Sequence, residues 1–362
     1  MPGPIIAPAA QVSAQQKISA PAGIRYRTSA TGPIQPGGKT AFALSVGNKI
    51  RFLALRLMYT LTQPASAIAI APANIAPGDE FGLLQQLQIF TSDNDYILSA
   101  SAMELLAVWN RLLPRRKPVY APLKNAGATS PVIDSTLVIP FWMLNANNHV
   151  ETELNTTRLL QGQLTALATW GNVGNVCTIA GMTLGGALQA EIRALEAYGA
   201  FTPLQDLRFT KINLLGVAPG VLRQKTPVPV ATNLDYFGFI VHEYNSGTNP
   251  VTDQPGVLSR LSFKSGETAM ISDCNLGSLR QQLWQTAPQF TTDGDAEANA
   301  ESFLISSLTN YDAWTYVPYS WDGYKTEDFS TAGLTDLHFE YDVAAGVVNP
   351  AVDVYGIQIL KA

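Results

Sequence analysis

The sequence predicts an all-β chain carrying one sandwich unit twice in tandem, and three observations predict it. Residues 82–114 align with 256–288 without a gap, at a constant offset (256 − 82 = 174). Both windows then carry the same local signals in the same order: strand, turn, short strand, capped helix, proline stop. Finally, strand-like segments recur in two sets between long Pro/Gly/Asn/Asp-rich loops, with no regular alternation of strand and helix. That last pattern counts against a parallel α/β sheet.

The alignment places Gly82 on Gly256, Leu84 on Leu258, Leu87 on Leu261, Ile97 on Ile271, Leu105 on Leu279 and Pro114 on Pro288. Average residue usage would give roughly two identities over such a window. Ser101 and Glu104 have the spacing of a capping box, in which the serine oxygen takes the N3 amide and the glutamate reaches back. Asn275, another favoured N-cap, stands at the equivalent place. Ala102, Leu105 and Trp109 follow at i, i+3, i+7, as do Leu276, Leu279 and Leu283, which is one apolar helix stripe. Pro114 and Pro288 end both helices, because proline lacks the amide and crowds the preceding turn. Weaker echoes join Ile139-Pro140-Phe141 to Val317-Pro318-Tyr319, Leu164–Leu167 to Leu334–Leu337, and Gly181 to Gly356.

Residues 1–38, rich in Pro, Ala, Gln and Gly, lack apolar periodicity and predict an extended N-terminal arm, with a short helix over about 11–19. From Lys39 onward the expected strands are 40–46, 50–61, 83–91, 132–143, 159–170 and 176–184, then 205–215, 234–244, 257–264, 313–320, 334–343 and 352–360. Loops such as 62–80, 114–131 and 218–233 are long for ordinary domains, but eight-stranded jelly rolls accommodate them at their ends. The expected architecture is therefore two consecutive eight-stranded jelly rolls, each with a short helix between strands. The first spans 39–192 and the second 193–362, behind the arm. A chain of 362 residues divides naturally into two such cores.

Composition narrows the function. Hydrophobic residues make up 46% of the chain and charged ones only 14%, well below the usual quarter or so. So lightly charged a surface predicts burial against other subunits. A net charge of −5 offers nucleic acid no general attraction. Cys177 and Cys274 are too few for a disulfide framework and read as buried thiols. No basic-then-apolar signal opens the chain and no apolar run approaches the ~18 residues of a membrane span, so a soluble, cytoplasmically made protein is expected.

Motifs of catalysis and ligation fail on spacing. Gly37-Gly38-Lys39-Thr40 resembles the end of a phosphate loop, but Pro33 occupies the first glycine's place and a strand-like run follows. Asp293, Asp295 and Glu297 begin like a calcium loop, but Ala298 and Leu304 stand where glycine and glutamate are required; a helix start over about 295–308 is the better reading. His149, His242 and His338 lie too far apart for a metal pair, so no cofactor is expected. No nucleophile elbow is present, and the sequon Asn155-Thr156-Thr157 lacks a secretory context. The basic group Arg111, Arg115, Arg116 and Lys117, with Tyr120 and Lys124 nearby, reads first as a solvated helix end, where cations suit the dipole, and second as an inner-surface contact with anionic lipid or genome.

Two successive jelly rolls with mid-unit capped helices, behind a Pro/Ala/Gln-rich arm, resemble double jelly-roll major capsid proteins. The similarity is greatest to those of tailless, membrane-containing bacteriophages of the tectivirus group, and extends to adenovirus hexon. Val46-Gly47-Asn48-Lys49-Ile50-Arg51-Phe52 and the stretch from Leu84 to Trp109 carry it. The resemblance implies a non-enzymatic subunit whose pseudo-hexagonal homotrimers tile an icosahedral virion shell, meeting neighbouring trimers, vertex (penton) and minor capsid proteins. It also implies an inward-reaching arm, on which Lys17, Arg25 and Arg27 would contact lipid phosphates or neighbouring subunits. The rival readings are a two-domain β-sandwich glycan hydrolase, or a carbohydrate-binding pair with Tyr319, Trp321 and Tyr324 as its sugar platform.

Overall fold

The structure, a computed structural model, describes residues 23–64, 70, 74–76, 79–93, 95–102, 104–105, 131–141, 153–198, 206–248, 252–274, 313–318 and 329–360. The first roll contains β1 (Gly23–Pro33), β2 (Lys39–Ala43), β3 (Lys49–Thr62), β4 (Leu84–Thr91), β5 (Tyr96–Ala100), β6 (Val132–Pro140), β7 (Leu154–Asn155), β8 (Leu164–Trp170) and β9 (Thr183–Tyr198). The second contains β10 (Asp206–Asn213), β11 (Gln224–Pro227), β12 (Leu234–Asn245), β13 (Thr252–Asp253), β14 (Leu258–Ser265), β15 (Thr268–Cys274), β16 (Trp314–Pro318), β17 (Phe329–Ser330), β18 (Leu337–Val343) and β19 (Pro350–Leu360).

Setting aside the two-residue strands β7, β13 and β17, each unit has eight strands arranged alike. In the first, β1-β9-β3-β6 faces β2-β8-β4-β5; in the second, β10-β19-β12-β16 faces β11-β18-β14-β15. Both orders read first-eighth-third-sixth over second-seventh-fourth-fifth, which is the jelly roll. Finer details repeat as well. The third strand of each roll carries a bulge near its start, between Ile50 and Phe52 in β3 and between Tyr236 and Gly238 in β12. An extra bulged residue bends a strand and strengthens its twist, so both sheets turn at the same point. The same strand ends are capped by a two-residue partner, β7 on β3 and β17 on β12. The gapless offset also holds in space, since β4 begins at Leu84 and β14 at Leu258 (258 − 84 = 174).

Inward-facing side chains fill each unit. On β3, Leu53, Leu55, Leu57 and Tyr59 are buried and join Leu87, Ile89, Ala166, Ala168 and Trp170 in one cluster. The second core is aromatic: Phe239 stands with ring centroids 5.0 Å from Tyr236, 4.8 Å from Phe263 and 4.9 Å from Phe339. The capping box forms as its spacing predicts. The Ser101 amide donates to Glu104 Oε2 at 2.6 Å, and the Glu104 amide donates to Ser101 Oγ at 3.3 Å. Its counterpart from Asn275, both proline stops and the 295–308 helix lie outside the described residues.

Several expectations need correction. Residues 23–33, expected within the arm, form β1, the first strand of the first roll, paired with β9 from Gly23↔Tyr198 to Pro33↔Gln189. The segment lacks alternation because it lies at the sheet's edge with much of its length open. The division expected between 192 and 193 falls inside β9, which replaces the strand expected at 176–184. Leu164–Leu167 and Leu334–Leu337 do not correspond, because the matching strands begin at Leu164 and Leu337. Gly181 lies in a turn at φ 81°, whereas Gly356 is inside β19, where Tyr236 Cε1 stands 2.9 Å from the place a Cβ would take.

The phosphate-loop lookalike is a turn, as its spacing predicts. The Gly38 amide donates to the Gln35 carbonyl at 2.7 Å, and β2 follows. Thr40 Oγ1 donates to the Pro33 carbonyl at 2.7 Å and accepts Trp170 Nε1 at 2.9 Å. Cys177 is a buried free thiol.

Candidate assembly interface

The rolls are joined by strands. β10 pairs antiparallel with β19 on one side and parallel with β5 of the first roll on the other, at Phe209↔Leu98. One sheet of the second roll thereby continues into one sheet of the first. The outer face of β10-β19-β12 is apolar and covered: Leu207, Phe209, Ile240, Tyr355, Ile357 and Ile359 belong to the first roll's core cluster. Val352 and Val354, on the other face of β19, belong to the second core. Burial on both faces explains the nearly unbroken apolar run of residues 352–360. Polar groups line the rim of this joint. Lys211 Nζ lies 2.6 Å from Asp353 Oδ2 and also over the Tyr355 ring, 5.7 Å from its centroid. Burial, with the Glu104 and Asp353 carboxylates nearby, pushes the Tyr355 hydroxyl well up.

The first roll carries charge on both faces of β9, with Glu196 on the side of Ala190, Ile192 and Ala194 and Glu191 on the open outer side. Glu196, 1% exposed at its side chain, receives Arg25 Nη2 at 2.8 Å, Arg27 Nε at 2.7 Å and Asn48 Nδ2 at 2.8 Å. Burial pushes this carboxyl up, but the two guanidiniums and the amide outweigh it and hold the group below its usual range. On the other face of β9, nearer its start, Arg56 spans Asp134 and Glu191, while Arg193 and Thr28 also bind Glu191. These bonds, Arg193 first, bring the Glu191 carboxyl down to about 2 from 4.5. A depressed carboxyl stabilises the fold above its unfolded value and loses that contribution as pH falls toward the folded one. The stability difference between wild type and Glu191→Gln is therefore expected to be constant above about pH 4.5 and to shrink between there and about pH 2. Urea melts across that range check it; a pH-independent difference contradicts it.

Of the residues expected to contact lipid or neighbouring subunits, Arg25 and Arg27 bind Glu196 across the β1–β9 ladder. Lys17, the basic group from Arg111 to Lys124, His149 and the aromatics Tyr319, Trp321 and Tyr324 lie outside the described residues. His242 and His338 stand on β12 and β18, with His338 Nδ1 3.0 Å from Asp336 Oδ1. Among the described residues no cluster of three or more His, Cys, Asp or Glu could hold a metal, and no helix is long and apolar enough to cross a membrane.

No protein-family model and no curated protein matches the sequence. Solved structures do. The STIV MCP aligns with a TM-score of 0.60 at 13% identity, covering 94% of this chain and 97% of that one. A chain of the atomic structure of Sulfolobus turreted icosahedral virus aligns at 0.61 and 11%, covering 93% and 91%. The major capsid protein P2 from bacteriophage PM2 aligns at 0.55 and 10%, covering 94% and 98%. Both rolls match together in each case, over nearly the whole of both chains. The fold is the double jelly roll that these virus proteins share.

Proposed function

We propose that this chain is a structural, non-enzymatic major capsid protein, resident in the virion shell after synthesis in a host cytoplasm. The observation that carries this reading is the parallel β10–β5 joint between two copies of one fold. A joint between unlike surfaces of like units is heterologous; repeated with closure it makes a ring. Three chains supply six rolls, and such a ring has the pseudo-hexagonal outline that tiles an icosahedral shell. The structural neighbours support it: one is described as a turreted icosahedral virus and another as a phage major capsid protein. The sparse charge of the chain fits large buried interfaces, since obligate ones are extensive and apolar.

In this reading, 23–198 and 206–360 are the two shell-forming rolls, and residues before β1, Lys17 among them, reach toward neighbouring subunits or an inner lipid membrane. Vertex and minor capsid proteins are further partners. Light scattering on the purified chain tests the reading. A single species of three times 38.9 kDa is expected, and a monomer at micromolar concentration contradicts it. The glycan-enzyme and sugar-binding alternatives have no observation in their favour among the described residues.

A further inference from the structure

Among the sheet-ending strands of the described chain, two have duplicates that are paired on the edge they leave open, and the internal duplication assigns each a partner. β1 pairs only with β9, and β15 only with β14, so each ends its sheet. Their counterparts β10 and β5 hold the same places in their own rolls, and those two pair with one another. The shared bulges fix the equivalence residue by residue. Just after each bulge, Phe52 pairs with Leu195 and Gly238 with Ile357, so Leu195 corresponds to Ile357. Tyr26 pairs with Leu195 and Phe209 with Ile357; likewise Ile24 pairs with Ala197 and Leu207 with Ile359. Ile24 and Tyr26 are therefore the equivalents of Leu207 and Phe209.

Their environments differ completely. Leu207 is 0% exposed and Phe209 2%, sealed under the first roll, whereas Ile24 is 57% exposed and Tyr26 48%. Two large apolar side chains thus stand in solvent where their duplicates are core. A long, open edge strand beside exposed apolar groups is a template for pairing with another chain, which proteins blunt unless they use it. On the other side, Ile89 pairs with Leu98 and Phe263 with Ile271, and Ile89 corresponds to Phe263 at the offset of 174 (263 − 89 = 174). Ile271 on β15 therefore takes the pairing place of Leu98, the residue that meets Phe209, because the bulge between Leu261 and Phe263 shifts β15 by one residue from the sequence offset that sets Ile97 on Ile271.

We propose that β15 of a second copy of this chain docks in parallel on the free edge of β1, setting Ile271 opposite Tyr26, so that the second roll of that copy covers Ile24 and Tyr26 as the first roll covers Leu207 and Phe209. This names the contact through which the trimer of the preceding section would close, and it rests on that reading. Every roll-to-roll joint in the ring is then the same joint, made three times within chains and three times between them.

Disulfide trapping tests the contact. The Tyr26→Cys/Ile271→Cys double variant is oxidised and run on a non-reducing gel beside each single variant, with oligomer mass measured on the wild type. Interchain bands up to a covalent trimer, from the double variant alone, are expected. In parallel, Tyr26→Glu is expected to weaken association by roughly tenfold or more. Leu222→Glu, at a site 68% exposed on the loop between β10 and β11, is expected to leave it unchanged. A trimeric wild type whose double variant gives only monomer bands, and whose Tyr26→Glu form still associates, overturns this contact and leaves the trimer standing. A monomeric wild type removes the trimer itself.

Discussion

Deleting residues 1–38 is expected to leave a chain that does not fold, whereas deleting 1–22 keeps every described strand. The longer deletion removes β1, and with it Arg25 and Arg27. Glu196, nearly sealed in the intact chain, then keeps only Asn48 of its three partners. Stripping the partners from a buried charge costs about 3 kcal/mol or more. Ile34, 3% exposed in the first core, is lost too, and removing a buried side chain of that size adds about 2–5 kcal/mol. The Ser45 amide loses Ser29 Oγ, Thr40 loses the Pro33 carbonyl, and β9 becomes a raw edge. Those losses together rival the about 5–15 kcal/mol of a typical domain. Circular dichroism and thermal melts of the two truncations check it. A 39–362 chain that melts cooperatively near the wild-type temperature would show β1 to be dispensable.

Phe239→Ala is expected to destabilise the second roll by about 3–5 kcal/mol, the usual cost of emptying a buried aromatic site. Phe239 is 1% exposed and meets three rings at once. Its neighbours Tyr236, Phe263 and Phe339 come from both sheets and are held on strands, so they have little freedom to collapse inward. Urea unfolding should show a lower midpoint, with a slope that changes little because the surface exposed on unfolding is nearly the same. A loss under 1 kcal/mol would mean that this cluster is not the core of the second roll.

Most of this architecture is legible in the sequence, for physical reasons that can be named. The first-roll strands expected at 50–61, 83–91 and 132–143 form because one face of each is core and the other is not, which leaves alternation in the residues. The second-roll strands at 234–244 and 352–360 are buried on both faces and appear as apolar runs instead. The capping box at Ser101 is local chemistry and is satisfied locally. β9 is hidden because Ala-Leu-Gln-Ala-Glu-Ile-Arg-Ala-Leu-Glu-Ala favours helix. Tertiary pairing to both β1 and β3 overrides that preference, with Ala190, Ile192 and Ala194 turned inward.

β1 is hidden because its apolar residues await a covering that one chain does not supply. A signal was nonetheless present: Ile24-Arg25-Tyr26 echoes Leu207-Arg208-Phe209 (207 − 24 = 183), and both triplets open the first strand of a roll. Glu196 gave no sequence signal, since Arg25 and Arg27 are distant in the chain and meet it only across the ladder; Glu191 has Arg193 two residues on, but Arg56 and Thr28 likewise reach it only across the sheet. The same distance explains why Arg25 and Arg27 read as free cations.

Electron cryomicroscopy of the soluble oligomer tests the central claim most directly. Six similar lobes around one threefold axis, three contributed by each half of the chain, are the predicted result. An isologous dimer, or a ring in which first rolls touch only first rolls, would contradict it.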